Sequence, residues 1–158
     1  MILRRGFTLT EMIMVLGIIS ILLTFSGMAF LNVQYKATLS SVTTATITDI
    51  KIQQSKSMQG NTEGTGTAGS YGIYFAADHY VLFHGSSYSA SDPQNFSLSL
   101  DPPMQFSDIL FPGSQIVFSA GSGEISGFTN GQNSVTLGNP ENSSFSVIRL
   151  NRYGVLIP

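Results

Sequence analysis

The residues with the most chemical character lie at the start of the chain. Arg4 and Arg5 precede Gly6 and Phe7, and a single carboxylate, Glu11, stands before an apolar run that continues to about Leu31. Gly6 is a small residue placed ahead of the apolar core. A cut after it would remove the basic leader and leave the apolar stretch on the mature chain. Glu11 would then have no cation near it in sequence. A carboxylate at the edge of an apolar helix needs a partner or a place at a polar boundary. The new α-amino group at Phe7, four residues away on the same chain or on an adjacent one, is one candidate partner. A boundary-marking role for Glu11 is the simpler alternative.

Other candidate sites are weaker. His79 and His84, with Asp78 beside His79, can ligate zinc in principle, but no spacing of a zinc motif is present, and solvent-exposed loop histidines are the expected state. Asp92, Asp101 and Asp108 are oxygen donors suited to calcium, yet they are spread over a long loop-rich stretch without a loop pattern. The many serines include no G-x-S-x-G elbow. The glycines between Gly64 and Gly69 form no phosphate loop, because no strand precedes them and no Lys-Ser/Thr follows. Neither a catalytic site nor a cofactor or metal site is expected. Arg149 and Arg152 near the C-terminus are read as ordinary surface charges, with a nucleic-acid contact as the alternative.

The elements that must position these residues follow from composition and pattern. From Met12 to Leu31 only Gly, Ser and Thr interrupt Met, Ile, Val, Leu, Phe and Ala. Twenty residues at about 1.5 Å rise span roughly 30 Å, the thickness of a bilayer's hydrocarbon core. A membrane-spanning helix is therefore predicted, with Arg4 and Arg5 placing the N-terminus in the cytoplasm. The run is longer than a secretory signal core and no small-residue cleavage site follows it. Beyond Asn32, Tyr35, Leu39, Val42, Ile47 and Ile50 recur at spacings that suit one helical face, and Lys51, Gln53, Gln54, Ser55 and Lys56 form the polar side, with the helix ending near Met58. The threonines between Thr38 and Thr48 lower intrinsic helicity, so packing must hold that part.

Charged residues make up 10% of the 158, net charge is −2, and removal of Arg4 and Arg5 takes it to about −4. A weakly acidic domain has little general attraction for nucleic acid. The chain has no cysteine, so disulfides and thiolate metal sites are ruled out. After a Gly/Thr-rich connection over 61–70, the sequence predicts a hairpin of 71–75 and 80–84 around a polar break, a polar loop over 86–95, and a half-buried strand over 96–100 closed by Asp101-Pro102-Pro103. Strands are further expected over 115–119, briefly over 124–127, and over 134–137, 145–150 and 154–157, with turns at Asn130-Gly131 and Asn151-Arg152. The expected fold class is α+β: a long N-terminal helix packed on an antiparallel β-sheet domain, arranged as a meander in one or two sheets. The expected division is a leader over 1–6, a transmembrane and assembly helix over 7–31, its amphipathic continuation over 32–59, and a β domain over 60–158.

Gly6-Phe7-Thr8-Leu9-Thr10-Glu11 with the apolar helix resembles the leader of type IV prepilins and type II secretion pseudopilins. The resemblance implies cleavage by a prepilin peptidase after Gly6, methylation of the new N-terminal Phe7, and guidance of assembly by Glu11, the fifth mature residue, through a neighbour's N-terminus. Thr10 replaces a more usual aliphatic residue. Met28 stands where many major pilins carry proline, and the C-terminal disulfide loop common in the family is absent. Ile116-Val-Phe-Ser, Gly123-Glu-Ile and the closing Ile148-Arg-Leu-Asn-Arg-Tyr-Gly-Val-Leu pattern are similar to GspH/FimT-like minor pseudopilins. This implies a non-enzymatic, pilin-like structural subunit of a pilus or secretion pseudopilus. Its partners would be other pilin or pseudopilin subunits, the peptidase and the inner membrane, with the β domain outside the cytoplasm. Some FimT-like relatives bind DNA through a basic C-terminal segment, which implies a DNA-uptake or adhesive alternative resting here on Arg149 and Arg152.

Overall fold

The computed structural model describes residues 6–60, 62, 69–141 and 143–157, with side chains throughout except over 25–35. The predicted leader, apart from Gly6, and most of the Gly/Thr-rich connection lie outside the described residues. The chain divides into two compact units, Met1–Ala37 and Thr38–Pro158. The first helix, α1 (Leu9–Met58), contributes its first part to one and its second part to the other.

In the first unit the helix starts where the sequence supplies a reciprocal cap. Thr8 precedes the first helical residue, and its Oγ1 accepts the Glu11 N–H at 3.3 Å while the Glu11 carboxylate accepts the Thr8 N–H at 2.9 Å. The side chains from Leu9 to Thr24 are all exposed, including Met12, Ile13, Met14, Val15, Leu16, Ile18, Ile19, Ile21, Leu22 and Leu23. Ser20 and Thr24 are the polar side chains between Met12 and Thr24, and each returns its hydroxyl to the helix. Ser20 Oγ donates to the Leu16 carbonyl at 2.8 Å and Thr24 Oγ1 to the Ser20 carbonyl at 2.9 Å. The surface from Met12 to Thr24 is thus apolar, with the Ser20 and Thr24 hydroxyls satisfied within the helix.

In the second unit, α1 buries Leu39, Thr46, Ile50, Gln53 and Ser57, with Val42 and Ile47 partly buried. Steps of three, four and seven residues place these on one face. The threonines cope with helical backbone by back-bonding: Thr44, Thr46 and Thr48 donate to the carbonyls of Ser40, Val42 and Thr44. Three of the buried positions, Thr46, Gln53 and Ser57, are polar, and the burial of Gln53 corrects the expectation that it lies on the solvated side. Ser57 is buried because its hydroxyl has work on the sheet. It accepts the Tyr71 N–H at 3.0 Å and donates to the Phe118 carbonyl at 2.9 Å. Past Met58 the chain turns at Gly60, φ 63°, a left-handed conformation that suits glycine at a helix end.

Among the described residues seven strands follow, β1 (Tyr71–Phe75), β2 (His79–His84), β3 (Phe96–Ser99), β4 (Gln105–Ser107), β5 (Gln115–Phe118), β6 (Ser134–Asn139) and β7 (Ser144–Arg149). They form two antiparallel sheets, one ordered β3-β2-β1-β5 and one ordered β4-β6-β7. The protein is therefore an α+β fold with a pilin-like arrangement of N-terminal helix and antiparallel sheets. The predicted hairpin holds, in the register Tyr71↔His84 to Phe75↔Tyr80. The order is not a plain meander, because β5 returns to pair with β1 and β4 pairs with β6.

Alternation on the strands sends one set of side chains into a shared core. Ile73 and Phe75 of β1, Tyr80 of β2, Ile116 and Phe118 of β5, Phe106 of β4, Val135 and Leu137 of β6 and Ile148 of β7 join Leu39 and Ile50 of the helix there. Gly72 is required by close packing: a Cβ there would lie 2.5 Å from the Ile116 carbonyl oxygen on the neighbouring strand.

Four expectations need correction. The strand β3 is an edge strand and mostly exposed, with Phe96 62% exposed, instead of half-buried. The short strand β4 was not anticipated, since three residues after two prolines carry too little periodicity. The stretch 124–127 contributes only a bridge, Ile125 to Phe118, and 154–157 only a bridge, Leu156 to Leu150. The second of these falls short of a strand because the Asn151 carboxamide ties it into a turn, accepting the N–H groups of Tyr153 at 2.9 Å and Val155 at 3.0 Å.

Candidate functional site

The N-terminal constellation is built on the first turn of α1. Gly6 and Phe7 precede the helix and are exposed, Phe7 at 82%. The Glu11 carboxylate is held by Thr8, whose hydroxyl donates to Oε2 at 2.8 Å in addition to the backbone N–H. Thr8 thus provides the partner that the sequence reading sought in an α-amino group. In the uncut chain the Phe7 nitrogen is a peptide nitrogen and carries no charge. The signal for Thr8 was present in the sequence as Thr-x-x-Glu ahead of an apolar run, the pattern of a capping box. Both members lie after Gly6, so a cut there leaves the box intact. The acidic side chain also sits at the positive end of the helix, where a carboxylate is favoured.

The expected membrane span has a mixed outcome. Among the described residues no helix is long and apolar enough to cross a membrane. The described apolar surface runs from Met12 to Leu23, and the side chains of 25–35, over which the expected span continues to 31, lie outside the described residues.

The remaining candidates stand apart from the N-terminal constellation in sequence and do not converge with one another. His79 and His84 occupy opposite ends of β2, not facing positions of the hairpin. His79 Nδ1 lies 2.6 Å from Asp78 Oδ1, and this hydrogen bond holds the Asp78 carboxyl below its ordinary pKa. His84 instead packs against Tyr71, ring centroids 4.7 Å apart. Asp92 Oδ1 accepts the Gln94 N–H at 2.9 Å, a local turn. Among the described residues no three His, Cys, Asp or Glu side chains are grouped to hold a metal ion.

The two C-terminal arginines differ. Arg152 is engaged: its Nε and Nη2 both lie 3.0 Å from Glu124 Oε2. Arg149 is exposed on β7, the edge strand of the three-stranded sheet. Of these two arginines, Arg152 is thus ion-paired.

Residues 1–27 match the family model described as the prokaryotic N-terminal methylation motif. The matched stretch contains Gly6, Phe7, Thr8 and Glu11. Comparison of the chain with curated proteins and with solved structures returns no match. The chain carries a prepilin-type signal of the pilin and pseudopilin kind, which points to a peptidase-processed structural subunit and not to an enzyme.

Proposed function

We propose that the protein is a structural subunit of a type IV pilus or a type II secretion pseudopilus, a minor one of the GspH/FimT-like kind. Prepilin peptidase cuts after Gly6 and methylates Phe7. The chain is anchored once in the cytoplasmic membrane, N-terminus inside and β domain outside, before its helix moves into a filament made with other pilin or pseudopilin subunits. The observation that carries this reading is the methylation motif joined to an exposed apolar surface from Met12 to Leu23. Each large apolar side chain left in water forfeits about 1.5–3 kcal/mol of burial. Ten such residues in one stretch need lipid or the dry interior of an assembly, and the back-bonded hydroxyls of Ser20 and Thr24 suit both.

Within that reading Glu11 has two successive partners. Before assembly Thr8 holds it. In the filament the α-amino group at Phe7 of an adjacent subunit joins it, and the strength of that charge pair in a dry interior sets the axial offset between subunits. The test is mass measurement of the mature N-terminus in cells with and without prepilin peptidase. An N-methylated chain beginning at Phe7, dependent on the peptidase and lost in Gly6→Val, is expected. A chain that keeps residues 1–6 in the presence of active peptidase would sink the reading. Glu11→Ala, cleaved normally but absent from sheared filaments, separates the assembly role from processing.

A further inference from the structure

The three-stranded sheet ends on β7, and that edge is open where its side chains are apolar. Leu150, which continues β7, donates its N–H to the Asn133 carbonyl on the β6 side. Backbone groups alternate along a strand, so those of Ser144, Ser146 and Ile148 face β6, while those of Phe145, Val147 and Arg149 face outward. The C-terminal segment meets this outer edge at Arg149, whose carbonyl accepts the Ile157 N–H at 2.9 Å. Among the described residues no strand pairs with the edge at Phe145 and Val147.

Phe145 and Val147 share one face of the strand and are 54% and 55% exposed. The Phe145 ring lies over Gly138 of β6, where a Cβ would collide with it. Val155 and Ile157 carry the exposed apolar surface past Arg149. No charged residue and no proline interrupts 144–148. An edge with open backbone groups and apolar side chains is a template for another strand.

The strand that fits is β7 itself. Antiparallel pairing of two β7 strands about Ser146 sets Phe145 of each copy against Val147 of the other. Both open residues then form hydrogen-bonded pairs, and an aromatic ring lies across from a β-branched side chain twice. Centring on Phe145 would oppose Val147 to Ser143, whose φ of 53° is not extended. Centring on Val147 would engage Arg149, whose carbonyl already has a partner. Charge selects the same direction. Glu141 is exposed in the turn before β7 and Arg149 is exposed at the strand's far end. Antiparallel pairing brings Glu141 of each copy towards Arg149 of the other, whereas parallel pairing would align like charges.

We propose that two copies of this chain pair through β7, antiparallel and centred on Ser146, joining their three-stranded sheets into one continuous sheet. The contact lies within the β domain and stands independently of the filament reading.

The chain has no cysteine, so single substitutions report the register. The full chain in detergent micelles is mildly oxidised, and disulfide-linked dimers are followed on non-reducing gels. In the proposed register Ser146 faces its own copy at a Cα separation of about 4.5 Å, within disulfide reach. Ser144 is displaced from its own copy by about 14 Å along the strand, beyond that reach. Ser146→Cys should therefore cross-link roughly tenfold faster than Ser144→Cys. Adding Arg149→Glu to Ser146→Cys should slow the reaction, and adding Glu141→Arg as well should restore it, with the melting midpoint unchanged because both positions are exposed. Equal rates for the two cysteine variants would mean collision without register and overturn the proposal. A rate that charge reversal leaves untouched, or that the double reversal fails to restore, would overturn it too. In membranes of producing cells, Ser146→Cys linked only to a different protein would give the edge to another subunit and reject self-pairing.

Discussion

The Tyr80 hydroxyl, on β2, donates a 2.6 Å hydrogen bond to Asp49 Oδ2, on α1. The pair joins the helix to the four-stranded sheet at a point where the Tyr80 ring is itself part of the core. Burial, and then the adjacent carboxylate, push the Tyr80 phenol well above its ordinary pKa. Removing the hydroxyl by Tyr80→Phe should cost about 1.5–3 kcal/mol in denaturant unfolding, the range for a hydrogen bond to a charged group. A loss under 0.5 kcal/mol, on the order of a neutral surface change, would show that the contact carries little.

The same pair gives a pH dependence. The unfolded phenol ionises near pH 10, while the folded one resists ionisation. The stabilisation from keeping it neutral is therefore complete below about pH 10 and is lost as pH rises from there towards the raised folded value. Wild-type stability should fall between roughly pH 10 and 12 more steeply than that of Tyr80→Phe. Parallel pH profiles would contradict the assignment.

Ser57 ties the end of α1 to two strands at once. Ser57→Ala leaves the Tyr71 N–H and the Phe118 carbonyl without that buried partner. A loss of about 1–3 kcal/mol is expected, with faster amide exchange at Tyr71. Unchanged exchange there would count against the bridge.

Gly72→Ala should be far worse than an ordinary strand glycine replacement. The added methyl meets a backbone carbonyl, Ile116 O, and the Phe83 ring, and the carbonyl cannot swing aside without breaking the β1–β5 ladder. Overpacking of this kind costs about 1–3 kcal/mol or more, read as a lowered denaturation midpoint. A variant as stable as wild type would mean that β1 and β5 can separate freely.

Thr8→Ala removes the reciprocal cap on α1. Loss of such a cap costs about 0.5–2 kcal/mol of helix stability. In micelles, amide exchange should rise over the first turn from Leu9 to Met12 and stay unchanged beyond Leu16. Protection equal to wild type in that turn would remove Thr8 from the account of how Glu11 is held.

The arginine surface yields a negative expectation. With Arg152 held by Glu124, retention on double-stranded DNA at low salt should be weak and little altered by Arg149→Ala with Arg152→Ala. Strong retention that the double substitution abolishes would favour the DNA-uptake alternative.

The parts of this protein legible in one dimension are those whose physics is local. The order of basic pair, Gly6, Phe7, Glu11 and apolar run depends on neighbours a few residues apart, and so does the helix end before Gly60. The hairpin of β1 and β2 was legible for the same reason: two alternating runs flank a short polar break. Even the Thr8–Glu11 cap was written in the chain, as a threonine three residues before a glutamate.

Tertiary structure decided what depends on distant partners. Gln53 shares a helical face with Ile50 and Ser57, but that a polar residue on that face is buried is settled by the packing of the folded chain. Three residues become β4 because β6, some thirty residues on, offers them a ladder of hydrogen bonds. Arg152 becomes an ion-paired side chain because the turn at Glu124 comes to it, and residues 154–157 fall short of a strand because Asn151 captures the N–H groups of Tyr153 and Val155. Hydrogen bonds and apolar burial between remote segments carry these outcomes, and neither is specified until the chain has closed on itself.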